Sequence, residues 1–233
     1  MKSKHEVENS RVYMMDCMEF MKDLPDGYFD LACVDPPYGI GQPKQSNLKG
    51  YNGRESLDVR LQKNRLNGGG GKLKDRVLNK SNCEWDNEIP NDEYFIELRR
   101  VSVNQIIWGG NYFPLPPTRC IICWDKMQPW ENFSQWEMAW TSFDKPAPMF
   151  RFDNRTGGKI HPTEKPIKLY QWIFKNYLPD GGKVFDSHLG SGSSRIAADK
   201  AGNIDFTGTE IDEDYFKASV DRFNKYKSQL TLF

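Results

Sequence analysis

The stretch VFDSHLGSGSSRIAADKAGNIDFTGTEID, from Val184 to Asp212, runs from a short apolar segment through a glycine-rich turn and a helical pattern to a second apolar segment. The first segment ends at Asp186 and the second at Glu210, which is typical of a strand–helix–strand unit. Glycines at such a turn let a ligand approach the backbone, and a carboxylate after the next strand can accept hydrogen bonds from ribose hydroxyls. The pattern predicts a site for an adenosine-containing cofactor.

The spacing of the glycines narrows the choice of cofactor. Gly190 and Gly192 form a GxG pattern without the third glycine of the dinucleotide fingerprint, which disfavours nicotinamide and flavin dinucleotides. The glycines alone are also compatible with a plain strand-to-helix turn. Glu210 at the end of the next strand favours a cofactor site over that alternative.

Short apolar segments alternate with helical patterns along the rest of the chain. This alternation predicts a doubly wound α/β sheet in a single domain over residues 1–233. Two of the predicted strands, RCIICWD and FSQWEMAWTSF, follow each other without a helix between them. We therefore expect these two strands to be antiparallel neighbours.

The composition of the 233-residue chain argues against several classes of protein. No apolar run approaches the ~20 residues of a membrane span, and the first residues lack the apolar segment of a signal peptide, so we expect a cytoplasmic location. Five cysteines are an odd number without the spacing of a disulfide framework. The pair in CIICWDK lacks the further ligands of a zinc site, and no metal is predicted.

The segment FDLACVDPPYGI, from Phe29 to Ile40, is an apolar strand pattern that ends in an acid, two prolines and a tyrosine. Proline lacks a backbone donor and restricts the residue before it, so a central strand cannot continue through Pro36 and Pro37. The chain therefore leaves the sheet at Asp35. Because the carboxyl ends of parallel strands meet at one edge, Asp35 and Asp186 are expected to face one crevice.

These motifs together resemble the amino-group DNA methyltransferases, which use S-adenosyl-L-methionine. DPPY resembles the catalytic motif of that family, FDSHLGSGSS resembles its cofactor motif, and HPTEKP, from His161 to Pro166, resembles the segment that leads to the cofactor strand. The catalytic motif comes first along the chain, which is the permuted order of the β class. The resemblance implies a Rossmann-like methyltransferase fold with a seven-stranded, mostly parallel sheet, one strand of which is antiparallel. It also implies S-adenosyl-L-homocysteine as the product and no metal.

The resemblance also assigns roles to single residues. The catalytic set that it implies is Asp35, Pro36, Pro37 and Tyr38. The cofactor-binding set that it implies is Asp16, Cys17, Asp35, Lys165, Asp186, Gly190, Ser191, Gly192, Ser193, Glu210 and Ile211. Within this set, Asp16 is expected beside the adenine, Glu210 on the ribose, and Asp186 with the glycine turn at the methionine end. His188 stands where the family usually has a small or apolar residue.

The DPPY residues suit methylation of an amino group that is conjugated with a base ring and is therefore a poor nucleophile. Hydrogen bonds from the amine to the Asp35 carboxylate and the Pro36 carbonyl would aim the nitrogen lone pair at the methyl group, and Asp35 can then accept a proton. A base inside a duplex must be flipped out, and Tyr38 offers an aromatic face for it. A turn tyrosine that packs on the sheet is the alternative for Tyr38. Trp108 and Tyr112 are further candidates for stacking, although strand aromatics are usually core residues.

The target base is predicted less closely than the reaction. Aspartate at position 35 favours the N6 amine of adenine, and the N4 amine of cytosine is the alternative. A catalytically silent homologue that only binds nucleic acid is an alternative of another class, against which the intact motifs argue. We expect a bacterial or phage-encoded protein that lies on the nucleoid when it binds DNA. Its role in restriction–modification or in regulation stays open, as does its oligomeric state, with a homodimer among the alternatives.

Residues 41–84 form a basic, glycine-rich insertion directly after the DPPY motif. Between Gly41 and Lys80, ten basic residues outnumber three acidic ones. Such a segment is either a solvated flexible insertion without a partner or a phosphate-binding arm that orders on DNA. The candidate DNA contacts are Lys44, Lys49, Arg54, Arg60, Lys63, Arg65, Lys72 and Lys74.

Two short segments are further candidates for recognition. Residues 143–160 form a strip that could contact the target sequence together with the insertion. The last five residues, QLTLF at 229–233, resemble the pentapeptide by which replication proteins bind the bacterial sliding clamp. The residues that would make this contact are Gln229, Leu230, Leu232 and Phe233. Packing of the tail against its own domain is the alternative.

Overall fold

The computed structural model describes residues 3–39, 88–128, 134–153, 160–161 and 163–230. The predicted insertion at 41–84, with all of its candidate DNA contacts, lies outside these residues, as do Leu232 and Phe233 of the tail. Gln229 lies exposed near the end of the last helix. The DNA-binding and clamp-binding roles of these segments therefore stay predictions.

Strands and helices alternate along most of the described chain, which confirms the predicted α/β class. The described strands are β1 (Lys4–Val7), β2 (Ser10–Met14), β3 (Phe29–Val34), β4 (Ser102–Trp108), β5 (Ile121–Asp125), β6 (Trp136–Thr141), β7 (Met149–Arg151), β8 (Gly182–Asp186) and β9 (Ile204–Glu210). The described helices are α1 (Cys17–Met21), α2 (Asp92–Val101), α3 (Ile167–Tyr177), α4 (Ser193–Ala201) and α5 (Glu213–Leu230), with a 3-10 turn at Gly110–Tyr112. None of these helices is both long enough and apolar enough to cross a membrane.

The described strands form one sheet in the order β1-β2-β9-β8-β3-β4-β6-β5-β7. The predicted count of seven strands is wrong, because nine strands of the described residues pair in this sheet. The strands from β2 to β5 in this order correspond to the seven that were expected, with β6 as their antiparallel member beside β4 and β5. β1 and β7 extend the two edges. They are four and three residues long and partly exposed, so they lack the apolar run by which a buried strand is recognised.

β3 and β8 are parallel neighbours in the middle of the sheet, with Leu31 opposite Val184 and Ala32 opposite Phe185. β9 lies on the far side of β8, and β4 lies on the far side of β3. The chain therefore leaves these two strands in opposite directions, which opens a crevice at their carboxyl ends. Asp186 ends β8 and Asp35 follows β3 directly, so both lie at this edge, as the sequence predicts.

Both faces of the sheet are buried. In β3, Leu31 and Cys33 belong to the apolar cluster formed with α3, α4 and α5, whereas Ala32 and Val34 belong to the cluster formed with α1 and α2. All four side chains have zero exposure. This two-sided burial explains why the strand is a continuous apolar run rather than an alternating one.

Helix α3 begins later than the sequence pattern suggests. The segment TEKPIKLYQWIFKNYL predicts a helix from Thr163 with Pro166 in its first turns, whereas the observed helix begins at Ile167 with Pro166 as its N-cap. Proline disfavours helical geometry in the residue before it, so residues 163–165 stay outside the helix. Lys165 is thereby left in a loop at the edge of the crevice.

Candidate active site

A cavity of about 230 Å³ lies at the carboxyl edge of the sheet. All four DPPY residues line it: Asp35, Pro36, Pro37 and Tyr38. The predicted cofactor residues that line it are Asp35, Lys165, Gly190, Ser191, Ser193, Glu210 and Ile211. The fold thus brings the predicted catalytic motif and the glycine turn, about 150 residues apart, to one cavity.

Two predicted cofactor residues at the start of α1 do not line the cavity. The Asp16 carboxylate caps α1 by accepting hydrogen bonds from Met18 N at 2.8 Å and Glu19 N at 3.2 Å. Cys17 is the first residue of that helix, and burial raises the pKa of its thiol to about 12, so the thiol stays neutral. In this structure the observed contacts of Asp16 are those of a helix cap.

Asp186 and Gly192 also lie outside the cavity wall and shape the glycine loop. The Asp186 carboxylate accepts hydrogen bonds from Ser194 Oγ at 2.5 Å and from His188 N at 3.2 Å. Burial raises the pKa of Asp186 to about 6. Gly192 precedes α4 with φ of 70°, a left-handed conformation that favours glycine.

The Asp35 carboxylate is held by two side chains in this structure. Tyr38 donates its hydroxyl to Asp35 Oδ1 at 2.6 Å, and Lys165 Nζ donates to Asp35 Oδ2. Lys165 Nζ also lies 3.2 Å from the Tyr38 hydroxyl. Burial lowers the pKa of Lys165, but the nearby carboxylates of Asp35 and Glu137 outweigh burial and raise it, so the amine is charged.

Sequence reasoning missed two residues that extend this charge network. Glu137 Oε2 lies 3.4 Å from Lys165 Nζ, and Lys126 Nζ contacts the other oxygen of the same carboxylate. Burial alone would raise the pKa of Glu137, but the two lysines outweigh it and lower the pKa. Lys126 follows β5 and Glu137 lies in β6, so the antiparallel pairing of these strands brings the network together. Alternating charges of this kind satisfy each other where water is excluded.

The aromatic ring of Tyr38 stacks on Tyr112, with ring centres 4.9 Å apart and planes at 15°. Gly109 makes room for it, because a Cβ at Gly109 would lie 2.2 Å from the Tyr38 ring. Tyr112 is 41% exposed, whereas Trp108 has zero exposure and packs edge-on against Trp124 in the core. Trp108 is thus a core residue, and Tyr112 remains a candidate for contact with a flat ligand.

The other end of the cavity carries a buried carboxylate. Glu210 accepts hydrogen bonds from Gly190 N at 2.8 Å and from Asp212 N at 3.0 Å. Burial raises its pKa to about 7, against the effect of these two amides. The carboxylate is thereby fixed at the end of β9, beside Ile211 and with acceptor capacity left for a ligand.

The segment before α3 forms a wall of the cavity that sequence reasoning did not assign in detail. The His161 ring packs against Tyr215, with ring centres 4.4 Å apart, and both residues line the cavity. Burial, together with the charge of Lys165, lowers the pKa of His161 to about 3, so the imidazole is neutral. The only sequence signal for this wall is the HPTEKP motif itself.

Arg222 joins this wall to the glycine loop. Its guanidinium donates to Glu164 Oε1, to Ser191 O and to Ser193 Oγ, each at 2.9 Å. Arg222 lies in α5, so three separate segments meet at one side chain. No local sequence pattern predicts this contact.

Across the described ranges, no group of three or more His, Cys, Asp or Glu residues has a metal-binding arrangement.

Comparisons with known proteins agree with this geometry. The sequence profile of a family described as DNA methylase matches residues 125–221. Type II methyltransferase M.ScaI of Streptomyces caespitosus is 23% identical over 269 residues, which covers 95% of this chain and 83% of that protein. Among solved structures with this fold, the M1.HpyAVI–SAM complex has 17% identity and a TM-score of 0.52, covering 91% of this chain and 98% of that one. The cytosine-N4-specific PvuII DNA methyltransferase has 15% identity and a TM-score of 0.56, covering 92% and 86%.

Proposed function

We propose that this chain is an amino-group DNA methyltransferase, which the match to the DNA methylase profile and the likeness to M.ScaI support, and that it transfers a methyl group from S-adenosyl-L-methionine to the N6 amine of adenine in DNA. One observation carries the proposal. Asp35, at the carboxyl end of β3, shares a cavity with the glycine turn after β8 and with Glu210 at the end of β9. A carboxylate for an amine and a site for an adenosine-containing cofactor thus lie side by side.

The chemistry of the cavity wall fits this cofactor. Glu210 presents acceptors suited to ribose hydroxyls, and Ile211 and Tyr215 offer apolar surface suited to an adenine ring. When bound, the cofactor supplies an electrophilic methyl group on a sulfonium. The remaining residues of the predicted cofactor set, Asp16, Cys17, Asp186 and Gly192, are proposed to act through the helix cap and the glycine loop that they hold.

The protein's own residues would hold and deprotonate the amine. We expect the amine to donate to Asp35 and to the Pro36 carbonyl, with the base taking the place of the Tyr38 hydroxyl at Asp35 Oδ1. Methyl transfer makes the nitrogen cationic and strongly acidic, so even a carboxylate beside a cation can accept its proton. Lys165 would remain on Asp35 Oδ2 and hold the carboxylate in place throughout.

Tyr38 is the residue that we propose to stack on the flipped base. Its ring already stacks on Tyr112, so the two rings have the geometry of an aromatic platform. The proline before it has a fixed φ, which limits how far Tyr38 can move away from Asp35. Pro36 and Pro37 thus position the two groups that contact the base.

Identification of the methylated nucleoside distinguishes adenine from cytosine as the target base. The protein is incubated with labelled S-adenosyl-L-methionine and duplex DNA, and the DNA is digested to nucleosides for mass spectrometry. The proposal predicts N6-methyladenine. N4-methylcytosine as the product would favour the cytosine alternative, for which the likeness to the PvuII enzyme is the observation in support. Absence of any methylated base, with DNA binding intact, would favour the catalytically silent homologue.

Two segments that the sequence suggests as binding sites for DNA or for another protein can be tested separately. We propose that residues 143–160, which include the edge strand β7, contact the target sequence. We also propose that the tail at 229–233 binds a sliding clamp. Deletion of the tail should abolish binding to a purified clamp, and absence of binding by the full chain would contradict this role.

A further inference from the structure

His188 is a polar residue of the cavity wall that the family pattern does not account for. It is half-buried and lies in the loop after β8. The backbone on both sides of it is held by β9, because Thr209 Oγ1 donates to Ser187 O at 2.8 Å and Leu189 N donates to Thr209 O at 2.9 Å. The imidazole is therefore attached to a fixed backbone before any ligand enters.

A chain of hydrogen bonds determines which nitrogen of His188 carries the proton. The Tyr94 hydroxyl lies 2.7 Å from Ser187 Oγ, which lies 2.8 Å from His188 Nδ1. Tyr94 and Ser187 are 2% and 3% exposed. Within the described chain, Ser187 Oγ is the acceptor available to the buried Tyr94 hydroxyl, so Tyr94 donates to Ser187. Ser187 then donates its own proton to Nδ1, because the opposite direction would leave that proton without an acceptor.

The neutral ring must therefore carry its proton on Nε2. Burial lowers the pKa of His188 to about 4, so the ring is neutral at physiological pH. Nε2 forms no hydrogen bond with the described residues. It is also not one of their fully buried polar atoms that lack a hydrogen-bond partner, so it keeps some exposure to solvent. Because His188 lines the cavity, this N–H donor is available to a ligand that binds there. A ligand that fills the cavity has to supply an acceptor, or the donor loses its contact with water without compensation.

We propose that His188 Nε2–H donates a hydrogen bond to the carboxylate of the methionine part of the cofactor, an inference that rests on the proposed function. His188 lies between Asp186 and Gly190, in the loop expected at the methionine end, whereas Glu210 is itself an acceptor and suits the ribose hydroxyls. The methionine carboxylate is the fully charged acceptor of the cofactor, and charge-assisted hydrogen bonds are the stronger ones. A ring nitrogen of the target base is the competing acceptor.

The test compares two variants and two ligands in a binding assay without DNA. His188→Phe removes the donor, and His188→Gln places an amide N–H at a similar reach. The ligands are S-adenosyl-L-homocysteine and its decarboxylated analogue, measured by calorimetry or by competition against labelled S-adenosyl-L-homocysteine. We expect His188→Phe to lower the affinity for S-adenosyl-L-homocysteine, the ligand that carries the carboxylate, about tenfold or more. This is the usual effect of a lost hydrogen bond to a charged group. His188→Gln should recover most of this loss, and the decarboxylated analogue should bind wild type and His188→Phe equally.

A second variant keeps the test decisive if His188→Phe does not fold. Tyr94→Phe breaks the hydrogen-bond chain outside the cavity. It should lower the affinity for S-adenosyl-L-homocysteine but not the affinity for its decarboxylated analogue. Equal affinity of wild type and His188→Phe for S-adenosyl-L-homocysteine overturns the proposal, as does an equal loss for both ligands. A His188→Phe variant with unchanged cofactor affinity but a raised KM for DNA would assign the donor to the base instead. A wild-type protein that binds neither ligand would overturn the proposed function itself.

Discussion

Lys165 and Asp35 lie 130 residues apart in the chain, and the ammonium group of one contacts the carboxylate of the other at the edge of the cavity. Lys165 belongs to the loop before α3, whereas Asp35 follows β3. Their contact joins the loop before α3 to the predicted catalytic motif. Because buried charges need partners, a substitution at either residue should leave the charge of the other without its partner.

Asp35→Asn should slow methyl transfer far more than it weakens cofactor binding. Asparagine keeps the size of the side chain but cannot accept the proton of the methylated amine, so we expect the rate to fall by about 10²–10⁴-fold. Single-turnover transfer of labelled methyl to DNA measures the rate, and binding of S-adenosyl-L-homocysteine measures the cavity. Asp144→Asn, at an exposed residue, is the matched control. A rate within the range of the control would show that Asp35 is not the base.

Lys165→Met should lower the stability of the protein and also slow methyl transfer. The change leaves two carboxylates, on Asp35 and Glu137, without their shared cation, and breaking such buried pairs costs about 3–5 kcal/mol. The loss should shrink at acidic pH, because Lys165 helps to lower the pKa of Glu137, and protonation of Glu137 removes the charge that the variant leaves with a weaker partner set. Denaturant unfolding at several pH values tests this, with Lys168→Met, an exposed lysine of α3, as the control. A loss equal to that of the control at all pH values would contradict the role of the network.

Gly109→Ala should displace Tyr38 from its place beside Asp35. A Cβ at Gly109 would lie 2.2 Å from the Tyr38 ring, and the φ of +71° adds backbone strain. Gly202→Ala has a similar φ of +78° and meets nothing within 4 Å, so it shows the cost of strain alone. We expect both variants to lose about 1 kcal/mol or more of stability, but only Gly109→Ala to lose most of its methyl transfer. Equal activity of the two variants would exclude a packing role for Gly109.

His188 should make the protein more sensitive to acid. Its pKa is lowered by burial to about 4, whereas an unfolded histidine titrates near 6.5. As the pH falls below about 6.5, the unfolded state takes up a proton that the folded state does not, so stability is lost until about pH 4. The free energy of unfolding of wild type minus that of His188→Phe should therefore fall across this window, by up to about 1.4 kcal/mol per pH unit. A difference that does not change with pH would show that the ring titrates normally.

Removal of Gln45–Arg76 should weaken DNA binding and reduce its salt dependence. The deleted segment contains Lys49, Arg54, Arg60, Lys63, Arg65, Lys72, Lys74 and Arg76, and each phosphate contact contributes about one unit to the slope of log affinity against log salt. Fluorescence anisotropy across a salt series measures both quantities. Replacement of the same residues by glutamine separates charge from chain length. Unchanged affinity and slope would mean that the insertion does not bind phosphates.

Much of the fold follows from local sequence patterns. The segment DEYFIELRRV has a helical pattern and is observed as α2, Asp92–Val101, and both motif turns lie where the strands before them end. The errors lie where local signals are weak. β1 and β7 pair only with one neighbour each and are partly exposed, so their residues carry no continuous apolar run.

The contacts that complete the candidate site were less predictable. The antiparallel pairing of β5 and β6 brings Lys126 to Glu137, whose other carboxylate oxygen contacts Lys165. Arg222 reaches Glu164 across 58 residues of sequence. Each of these charged residues, taken alone, looks like an ordinary surface residue in the sequence. Their roles depend on burial and on partners that are distant along the chain.

By itself, the sequence determined the α/β alternation, the break at Pro36 and Pro37, and the turn at Gly190–Gly192, because prolines, glycines and apolar periods act over a few residues. Only the tertiary structure decided that Asp35 rests between Tyr38 and Lys165. The physical reason is that hydrogen bonds and ion pairs act over a few ångströms, so their partners are known only once the strands are paired.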